Sequence, residues 1–443
     1  MKLVFVLVLF AFLAPVQGDG VCSIIQTAFL EAAEQQKEEE ACRCFMNSQA
    51  STTNNYGNLR VRRDTTILDA PNQWIGCTRQ KMPSLFRALN ALNETIVSKL
   101  WIWDSLMSIV PNDIFTQVRP RTLIIEKSAV SVFRTGTFAP LGQRLRVLQL
   151  RGNIIKKIEA DIMRPLSKLT NLDLSLNKIE TIEAGDLDAL VDLRTLALNG
   201  NSITKIEDRS FANLKNLRVL NLADNALTNI TRYTFSGLDN LEHLHLDGNQ
   251  LTHVDWSAFA HMKQLKLLDL GTNQLTSVQL RGLDNLERLF VNNNSIQSLK
   301  NVSLRDLSKL VLLSLDRNSL TSINDDDFQS LSSSAELRSL SLAYNKIKHI
   351  SSRAFESLHQ LETLSLQNNY ITSLSYGESS VFRPLTRLKN LFLSSNMLTT
   401  VEEKTFAGLT HHCGHRRDVL ARRQQNFAKG GRYASRRFSQ SGR

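Results

Sequence analysis

Two histidines and an aspartate stand at alternate positions in one short segment of the chain. His243, His245 and Asp247 are each two residues apart, and such residues point to the same face when the chain is extended. Imidazole nitrogens and carboxylate oxygens on one rigid face can bind a divalent metal, or a basic partner in a pH-sensitive way. A solvated polar face is the third alternative, and the residues alone leave all three open.

The segment lies within a periodic pattern of asparagines. They are 24 residues apart at first, and the later steps are 21, 24, 27, 24 and 27 residues. The series is Asn153, Asn177, Asn201, Asn225, Asn249, Asn273, Asn294, Asn318, Asn345, Asn369 and Asn396. Around each one the frame L-x-x-L-x-L-x-x-N-x-L returns, for example from Leu193 to Ile203. This frame is typical of the leucine-rich repeat.

The frame predicts how each turn is built. Its L-x-L part alternates, so the leucines point inward and the residues between them outward from a short strand. The asparagine then enters the core, where its amide must bond to the backbone of neighbouring turns. Two weaker turns, with Ser105 and Ser128 in the asparagine position, precede the others. We therefore predict an α/β leucine-rich repeat solenoid of about thirteen turns over residues 97–410, with a parallel sheet on its concave side.

A second apolar set is predicted to close the far side of the turns. It consists of Phe211, Phe235, Phe259, Phe328, Phe355 and Phe406. The repeat spacing of these aromatic residues indicates core packing and not a ligand pocket.

The strand register predicts which side chains share the concave surface. Between the two leucines of each strand one residue points outward. The resulting column runs Trp101, Ile124, Gln149, Asp173, Ala197, Asn221, His245, Asp269, Phe290, Ser314, Ser341, Ser365 and Phe392. Asp269 should therefore neighbour His245 on the next strand. Three further aspartates make this region acidic, namely Asp173, Asp224 and Asp316.

Aromatic residues occupy outward positions at both ends of this acidic region. Trp101 and Trp103 share one face near the first turn, where they are either partner anchors or packed beneath the cap, and Phe290 is predicted to be an exposed anchor. We predict that the partner-binding residues are Trp101, Trp103, Asp173, His243, His245, Asp247, Asp269 and Phe290. No cofactor or resident metal is expected.

Cysteines cluster before the repeats, at Cys22, Cys42, Cys44 and Cys77, whereas Cys413 stands alone. In an oxidising compartment such a cluster predicts two disulfides, and the spacing leaves their connectivity open. A zinc site is the alternative, although Cys42 and Cys44 lack the usual two-residue spacer. Residues 19–96 are predicted to form an N-terminal cap.

Three elements are predicted within this cap. They are a helix capped by Ser23, a strand with Ile75 and Cys77, and a short helix that starts at Pro83.

The N-terminal residues have the pattern of a secretory signal peptide. Lys2 precedes an apolar run from Leu3 to Leu13, and Gly18 precedes a cleavage point before Asp19. A membrane anchor is the alternative, but the run is short for about 30 Å of hydrocarbon. We predict that residues 1–18 are removed and that the product is secreted, with no membrane span. Four sequons fit secretion, namely Asn93, Asn229, Asn293 and Asn301.

Composition and charge exclude other classes. With 42% hydrophobic and 21% charged residues the chain is ordinary globular protein. The net charge is +11, but residues 411–443 hold nine arginines and lysines against one aspartate, or +8, so the first 410 residues carry only +3. A near-neutral body argues against nucleic-acid binding. The basic tail is predicted to be disordered and to favour a polyanion.

The chain resembles extracellular leucine-rich repeat proteins over residues 19–410. In finer detail it is similar to arthropod secreted relatives of the non-catalytic subunit of Oplophorus-luciferin 2-monooxygenase. The segments that carry this likeness run from Leu100 to Phe115 (LWIWDSLMSIVPNDIF) and from Leu123 to Phe133 (LIIEKSAVSVF). The family commonly has a four-cysteine C-terminal cap, which Cys413 alone cannot form. A partner covers the last turn, or the tail reflects an alternative exon or a gene-model error.

The resemblance implies a secreted protein that binds protein or glycan ligands, with a scaffold or subunit role and no catalysis of its own. An innate-immune recognition factor, a receptor ectodomain or an extracellular-matrix protein are the alternatives. We expect the binding surface to lie mainly between Trp101 and Asp269, because a glycan on Asn293 would obstruct approach beyond it.

Overall fold

A computed structural model describes residues 20–35, 41–46, 73–332, 334–376, 379–399, 403–406 and 409. One 15-stranded sheet runs along the molecule, and its strands follow each other in chain order. The first two strands belong to the N-terminal region and the other thirteen to successive repeat turns. The prediction of a leucine-rich repeat solenoid of about thirteen turns is therefore confirmed.

The long sheet forms the concave face, by which we mean the outward-facing side of its repeat strands. Its strands are β1 Cys42–Met46, β2 Gln73–Thr78, β3 Thr95–Trp103, β4 Val118–Glu126, β5 Val147–Gln149, β6 Asn171–Asp173, β7 Thr195–Ala197, β8 Val219–Asn221, β9 His243–His245, β10 Leu267–Asp269, β11 Arg288–Phe290, β12 Leu312–Ser314, β13 Ser339–Ser341, β14 Thr363–Ser365 and β15 Asn390–Phe392. All neighbours from β2 onward pair in parallel, because each turn repeats the direction of the one before it.

The opposite, convex side is built from short pieces. Parallel strand pairs are Ile109–Val110 with Val132–Phe133, Thr181–Ile182 with Lys205–Ile206, Asn229–Ile230 with His253–Val254, Val278–Arg281 with Val302–Arg305, and Ser322–Ile323 with His349–Ile350. An antiparallel pair joins Ser375–Tyr376 to Ser379–Ser380. Helical segments are Ala160–Met163 and the 3₁₀ turns Ala139–Leu141, Trp256–Phe259, Leu299–Asn301, Gln329–Leu331 and Glu403–Phe406.

Strand pairing confirms the predicted outward column. Asp173 pairs with Ala197, Asn221 with His245, and His245 with Asp269. The leucines that alternate with these residues along each strand are buried, and Leu244 and Leu268 are fully buried. Each of these outward side chains thus stands between two aliphatic residues that are packed in the core.

The ladder asparagines bond to the backbone of adjacent turns, which confirms the role predicted for them. Asn225 is typical. Its Nδ2 donates to the carbonyl of Leu222 at 3.0 Å and to that of Leu198, one turn earlier, also at 3.0 Å. Its Oδ1 accepts the amide of Ile203 at 3.0 Å. One side chain therefore joins two turns, and it supplies a partner for the buried Ile203 amide.

The phenylalanines form a second spine behind the strands. Five of the six predicted core phenylalanines are buried, and Phe406 is half-buried against the core. Ring centroids of Phe328 and Phe355 are 6.1 Å apart, and those of Phe355 and Phe382 are 6.3 Å apart. Stacked rings on consecutive turns therefore fill the space between the sheet and the convex side, as the core-packing prediction requires.

The N-terminal region is joined by two disulfides. Cys22 bonds to Cys44, and Cys42 bonds to Cys77. They link helix α1, Gly20–Glu34, to the antiparallel pair of β1 and β2, and helix α2, Met82–Asn90, follows with proline in its first turn. The prediction that Ser23 caps α1 is wrong, because the helix is already formed at Gly20 and the carbonyl of Ser23 accepts the Thr27 hydroxyl within it.

A left-handed residue precedes the asparagine position in thirteen consecutive turns. All have φ between 47° and 70°, and they are Asp104, Lys127, Gly152, Leu176, Gly200, Asp224, Gly248, Thr272, Asn293, Arg317, Tyr344, Asn368 and Ser395. This residue turns the chain out of the strand so that the next side chain can enter the core. Asn293, one of the sequon residues, occupies such a position.

Some sequence predictions lie outside the described residues. These are the signal peptide at 1–18, Cys413 and the basic tail at 411–443. Among the residues that the structure describes, no helix is long and apolar enough to cross a membrane.

The ladder predicts a large cost for removing one amide. Asn225→Ala leaves the Ile203 amide buried without its partner, whereas the Leu198 and Leu222 carbonyls keep the amides of Asn201 and Asn249. We therefore expect a loss of about 1–3 kcal/mol in unfolding free energy. Urea denaturation followed by circular dichroism measures it. The control is Asn216→Ala, because Asn216 is exposed and its side-chain amide bonds to the Val191 carbonyl at the surface. An equal loss in both variants contradicts the prediction.

Candidate functional site

The centre of the concave face brings together three of the predicted site residues. His245 and Asp247 follow each other on β9 and just after it, and Asp269 lies beside His245 on β10. A ring nitrogen of His245 and one carboxylate oxygen from each aspartate all lie within 4.8 Å of one another. The three side chains are half-buried. We call them the central triad, and they are a set that could hold a metal ion.

Burial dominates the electrostatics of the central triad. It raises the pKa of Asp269 to about 6, against the opposing effect of the Gly271 amide that its Oδ1 accepts at 2.9 Å. Burial likewise raises the pKa of Asp247, and it lowers the pKa of the His245 imidazole below its ordinary value. Each shift disfavours the charged form, because water is partly excluded and the compensating charges are weak.

A glycine gives Asp269 room beside the next turn. A Cβ on Gly271 would meet both the Oδ1 and the Nδ2 atoms of Asn292 at 3.0 Å, and Oδ1 of Asp269 at 3.1 Å. The Asn292 side-chain amide and the Asp269 carboxylate therefore both border the space above Gly271. An alanine at position 271 would push these polar groups apart.

His243 lies on the same face but outside the triad. Burial is the main cause that lowers its pKa, followed by the charge of His245 if protonated and that of Arg288. Its neighbour Glu242 has two cationic partners, since Lys266 Nζ lies 2.7 Å from Oε2 and Arg218 bonds to Oε1. These ion pairs hold the pKa of Glu242 below its usual range.

The other aspartates of the acidic region differ in what they contact. Asp173 Oδ1 accepts the Ser175 amide at 2.8 Å. Asp316 Oδ1 accepts the Ala343 amide at 2.7 Å and also the Ser341 hydroxyl, so this carboxylate links two turns. Asp224 is exposed at a left-handed position. Asp224 thus lies in the turn beside Asp247, Asp173 lies three strands before His245, and Asp316 is largely used within the fold.

The aromatic residues at the N-terminal end pack against the cap. The Trp101 ring lies 6.2 Å from that of Trp74, which stacks on Phe45 at 4.3 Å. Lys99 Nζ lies over both tryptophans, at 4.3 Å from Trp74 and 5.7 Å from Trp101. The Nε1 of Trp101 is buried and finds no hydrogen-bond partner within the described part of the chain. This arrangement favours packing beneath the cap for Trp101.

The remaining aromatic candidates are less enclosed by the cap. Trp103 is half-buried, with Lys127 Nζ 5.9 Å above its ring. Phe290 is half-buried beside Asp269, whereas Phe392 on the last strand is 50% exposed. Exposure thus singles out Phe392, a member of the predicted column that was not among the proposed anchors.

Sequence reasoning missed the aromatic cluster of Phe45 and Trp74. Both residues lie in cap strands before the first repeat, where no periodicity assigns them to a face. The signal that would have found them is the alternation of β2, in which Ile75 and Cys77 are buried and Trp74 and Gly76 therefore point outward with Trp101.

The four sequon asparagines are all exposed. Asn229 and Asn301 lie on the convex side, and Asn93 follows α2. Asn293 lies just past β11 at the rim of the concave face, and its Nδ2 donates to Thr272 Oγ1 at 3.3 Å. The described concave strands from β3 to β10 carry no sequon.

Comparison with protein families gives one match. A family model described as leucine rich repeat matches residues 143–203, 191–251, 240–294, 284–337 and 335–380, which together span more than half of the chain. A curated relative, P-granule-associated novel protein 1 of Caenorhabditis elegans, is 35% identical over 99 residues, 22% of this chain and 17% of that protein.

Solved structures match over more of the chain. A TLR13–ssRNA13 complex matches with a TM-score of 0.63 and 25% identity, covering 76% of this chain and 49% of that one. The Drosophila Toll–Spätzle complex matches with a TM-score of 0.60 and 18% identity, covering 88% and 54%. A complex of Latrophilin 3, Unc5D and FLRT2 matches with a TM-score of 0.52 and 20% identity, covering 66% and 91%. The chain thus spans about half the length of the Toll-type structures, and a smaller part of the curated relative.

The raised pKa of Asp269 predicts a pH-dependent gain from Asp269→Asn. The native carboxyl has a folded pKa of about 6, above its unfolded value, so its ionised form destabilises the fold above pH 6 and protonation relieves this as the pH falls toward 4. Asparagine keeps an acceptor for Gly271 without the charge. With a discount for partial exposure, we expect the variant to melt about 2 °C higher at pH 7.5.

At pH 4.5 this difference should shrink. Thermal unfolding in buffer with a chelator, at both pH values, measures it. Asp188→Asn is the matched control, because Asp188 is exposed and lies away from the concave strands. A gain that is the same at both pH values contradicts the assigned cause.

Proposed function

The chain belongs to the leucine-rich repeat family, and on that premise we propose that it is a secreted, non-catalytic protein whose concave face binds an extracellular protein or glycan ligand. Folds of this family typically serve as binding ectodomains. In this proposal the protein acts as a scaffold or non-catalytic subunit, in line with its resemblance to relatives of the luciferin monooxygenase subunit. Its partner supplies any chemistry.

The observation that carries the proposal is the character of the concave face from β3 to β10. Each outward side chain stands between core leucines, so the surface is rigid before a ligand arrives and little ordering entropy is lost on binding. The half-buried triad of His245, Asp247 and Asp269 lies at one end of this stretch, and Trp103 lies at the other. The first sequon beyond it, Asn293, would place a glycan at its edge.

Three features support an extracellular location. The two disulfides of the cap need an oxidising compartment. The four sequon asparagines are exposed and so accessible to glycosylation. The apolar run from Leu3 to Leu13 has the pattern of a signal peptide. We therefore propose cleavage before Asp19 and a role for residues 411–443 in contacting polyanions.

An innate-immune recognition factor or receptor ectodomain is the second candidate. It is favoured by the likeness to two Toll-type structures with TM-scores of 0.63 and 0.60. A protein ligand and an RNA ligand are named for those two proteins, and the near-neutral body of this chain favours protein over RNA.

The concave face is tested by changing three residues at once. Asp173, His245 and Asp269 replaced by alanine should reduce recovery of co-purifying partners from the secreting tissue at least about tenfold, because three half-buried polar contacts are lost together. Quantitative sequencing of the recovered chains measures it.

The matched control replaces Asp188, His253 and Asp284 by alanine. These residues have the same types, are exposed and lie off the concave face. Undiminished recovery with the first variant contradicts the proposed surface, and an equal loss with both variants contradicts its location.

A further inference from the structure

The central triad has the composition of a metal site. We propose that His245, Asp247 and Asp269 bind one divalent cation of the zinc class on the concave face. The sequence by itself favoured no resident metal. The convergence of three donor atoms within 4.8 Å of one another changes that expectation.

The donors are positioned by rigid backbone. His245 and Asp269 are direct partners across β9 and β10, and Asp247 lies two residues beyond His245 on the same face. Leu244 and Leu268, beside the donors in each strand, are fully buried. The Gly271 amide fixes Oδ1 of Asp269 and leaves Oδ2 free to turn toward the other two donors. The paired backbone of β9 and β10 therefore holds His245 and Asp269 side by side before any ion binds.

Within the described part of the chain, the two carboxylates have no lysine or arginine partner of their own. Among the ion pairs of the described residues, none joins a lysine or arginine to Asp247 or Asp269, and His245 Nδ1 is 4.0 Å from Asp247 Oδ1. The contrast with Glu242 on the same strand edge is direct, since that carboxylate binds both Lys266 and Arg218. Half-buried carboxylates without a counter-charge are costly. A bound cation would supply that charge.

The donor set favours zinc over the harder cations. One imidazole and two carboxylates suit zinc and related transition metals, whereas calcium takes six to eight oxygens. The donor atoms now lie within 4.8 Å of one another. Zinc bonds of about 2.0–2.2 Å require the most widely separated donors to approach each other by roughly 1 Å. Three protein ligands leave at least one coordination position open toward the concave side.

This site is independent of the proposed function, because it requires no partner. The side chains of His245 and Asp247 are 32% and 37% exposed, so an ion can reach them from solvent. A metal here would convert an acidic patch into one that accepts a carboxylate or another anionic group.

The test is zinc titration by calorimetry on the full chain. His411, His412, Cys413 and His415 in the tail are also of zinc-binding type, so the parent protein carries alanine at these histidines and serine at Cys413. His245→Gln, Asp247→Asn and Asp269→Asn are each compared with this parent, and His253→Ala is the control on the convex side. Thermal melts with and without zinc check folding and report binding a second time.

We expect the parent to bind one zinc ion and to melt at a higher temperature with it. Each triad variant should bind at least about tenfold more weakly and lose the thermal shift, whereas His253→Ala should keep both. A parent that binds no zinc overturns the proposal, and so do triad variants that bind as tightly as the parent. If one variant does not fold, the other two decide.

Discussion

The asparagine ladder is the interaction on which the rest of the molecule depends. Each amide satisfies backbone groups of two turns at once, as Asn225 does for Leu198, Leu222 and Ile203. Because those groups are buried, a turn cannot shift relative to its neighbour without leaving them unpaired. The left-handed residue before each asparagine directs the amide inward, and the strand before it keeps its register. These repeated hydrogen bonds fix the strand register, and the register sets the positions of the outward side chains on the concave face.

That precision is what brings the three side chains of the central triad together. His245 and Asp269 are 24 residues apart in the chain, yet they face each other because their strands pair in exact register. The fold holds the three donors close at no further entropic cost. It also excludes part of the water around them, so burial raises the pKa of both carboxylates and lowers that of the imidazole. Glu242 differs from the triad carboxylates, because basic residues on the turns before and after it, Arg218 and Lys266, pair with its carboxylate.

The two ends of the sheet differ in how the core of the terminal turn is covered. The N-terminal strands continue the sheet, and the disulfides, Phe45 and Trp74 cover its first turn, which uses Trp101 in packing. At the other end Leu391 and Leu393 are half-buried, and Phe392 and Met397 are 50% and 55% exposed. The aromatic residues therefore differ in role along one column, and repeat position alone does not distinguish them.

The sequence by itself determined the class of fold, the turn number, the outward column and the ladder, because all of these follow from a period that every turn repeats. It placed His245 beside Asp269 for the same reason. It did not determine the start of α1, the disulfide pairing or the cap aromatics, which lie in non-repeating sequence. Only the tertiary structure decided that Asp316 is bound within the fold and that, among the described residues, no lysine or arginine pairs with Asp247 or Asp269. Those properties depend on which side chains reach one another across turns, and distance in the chain does not encode that.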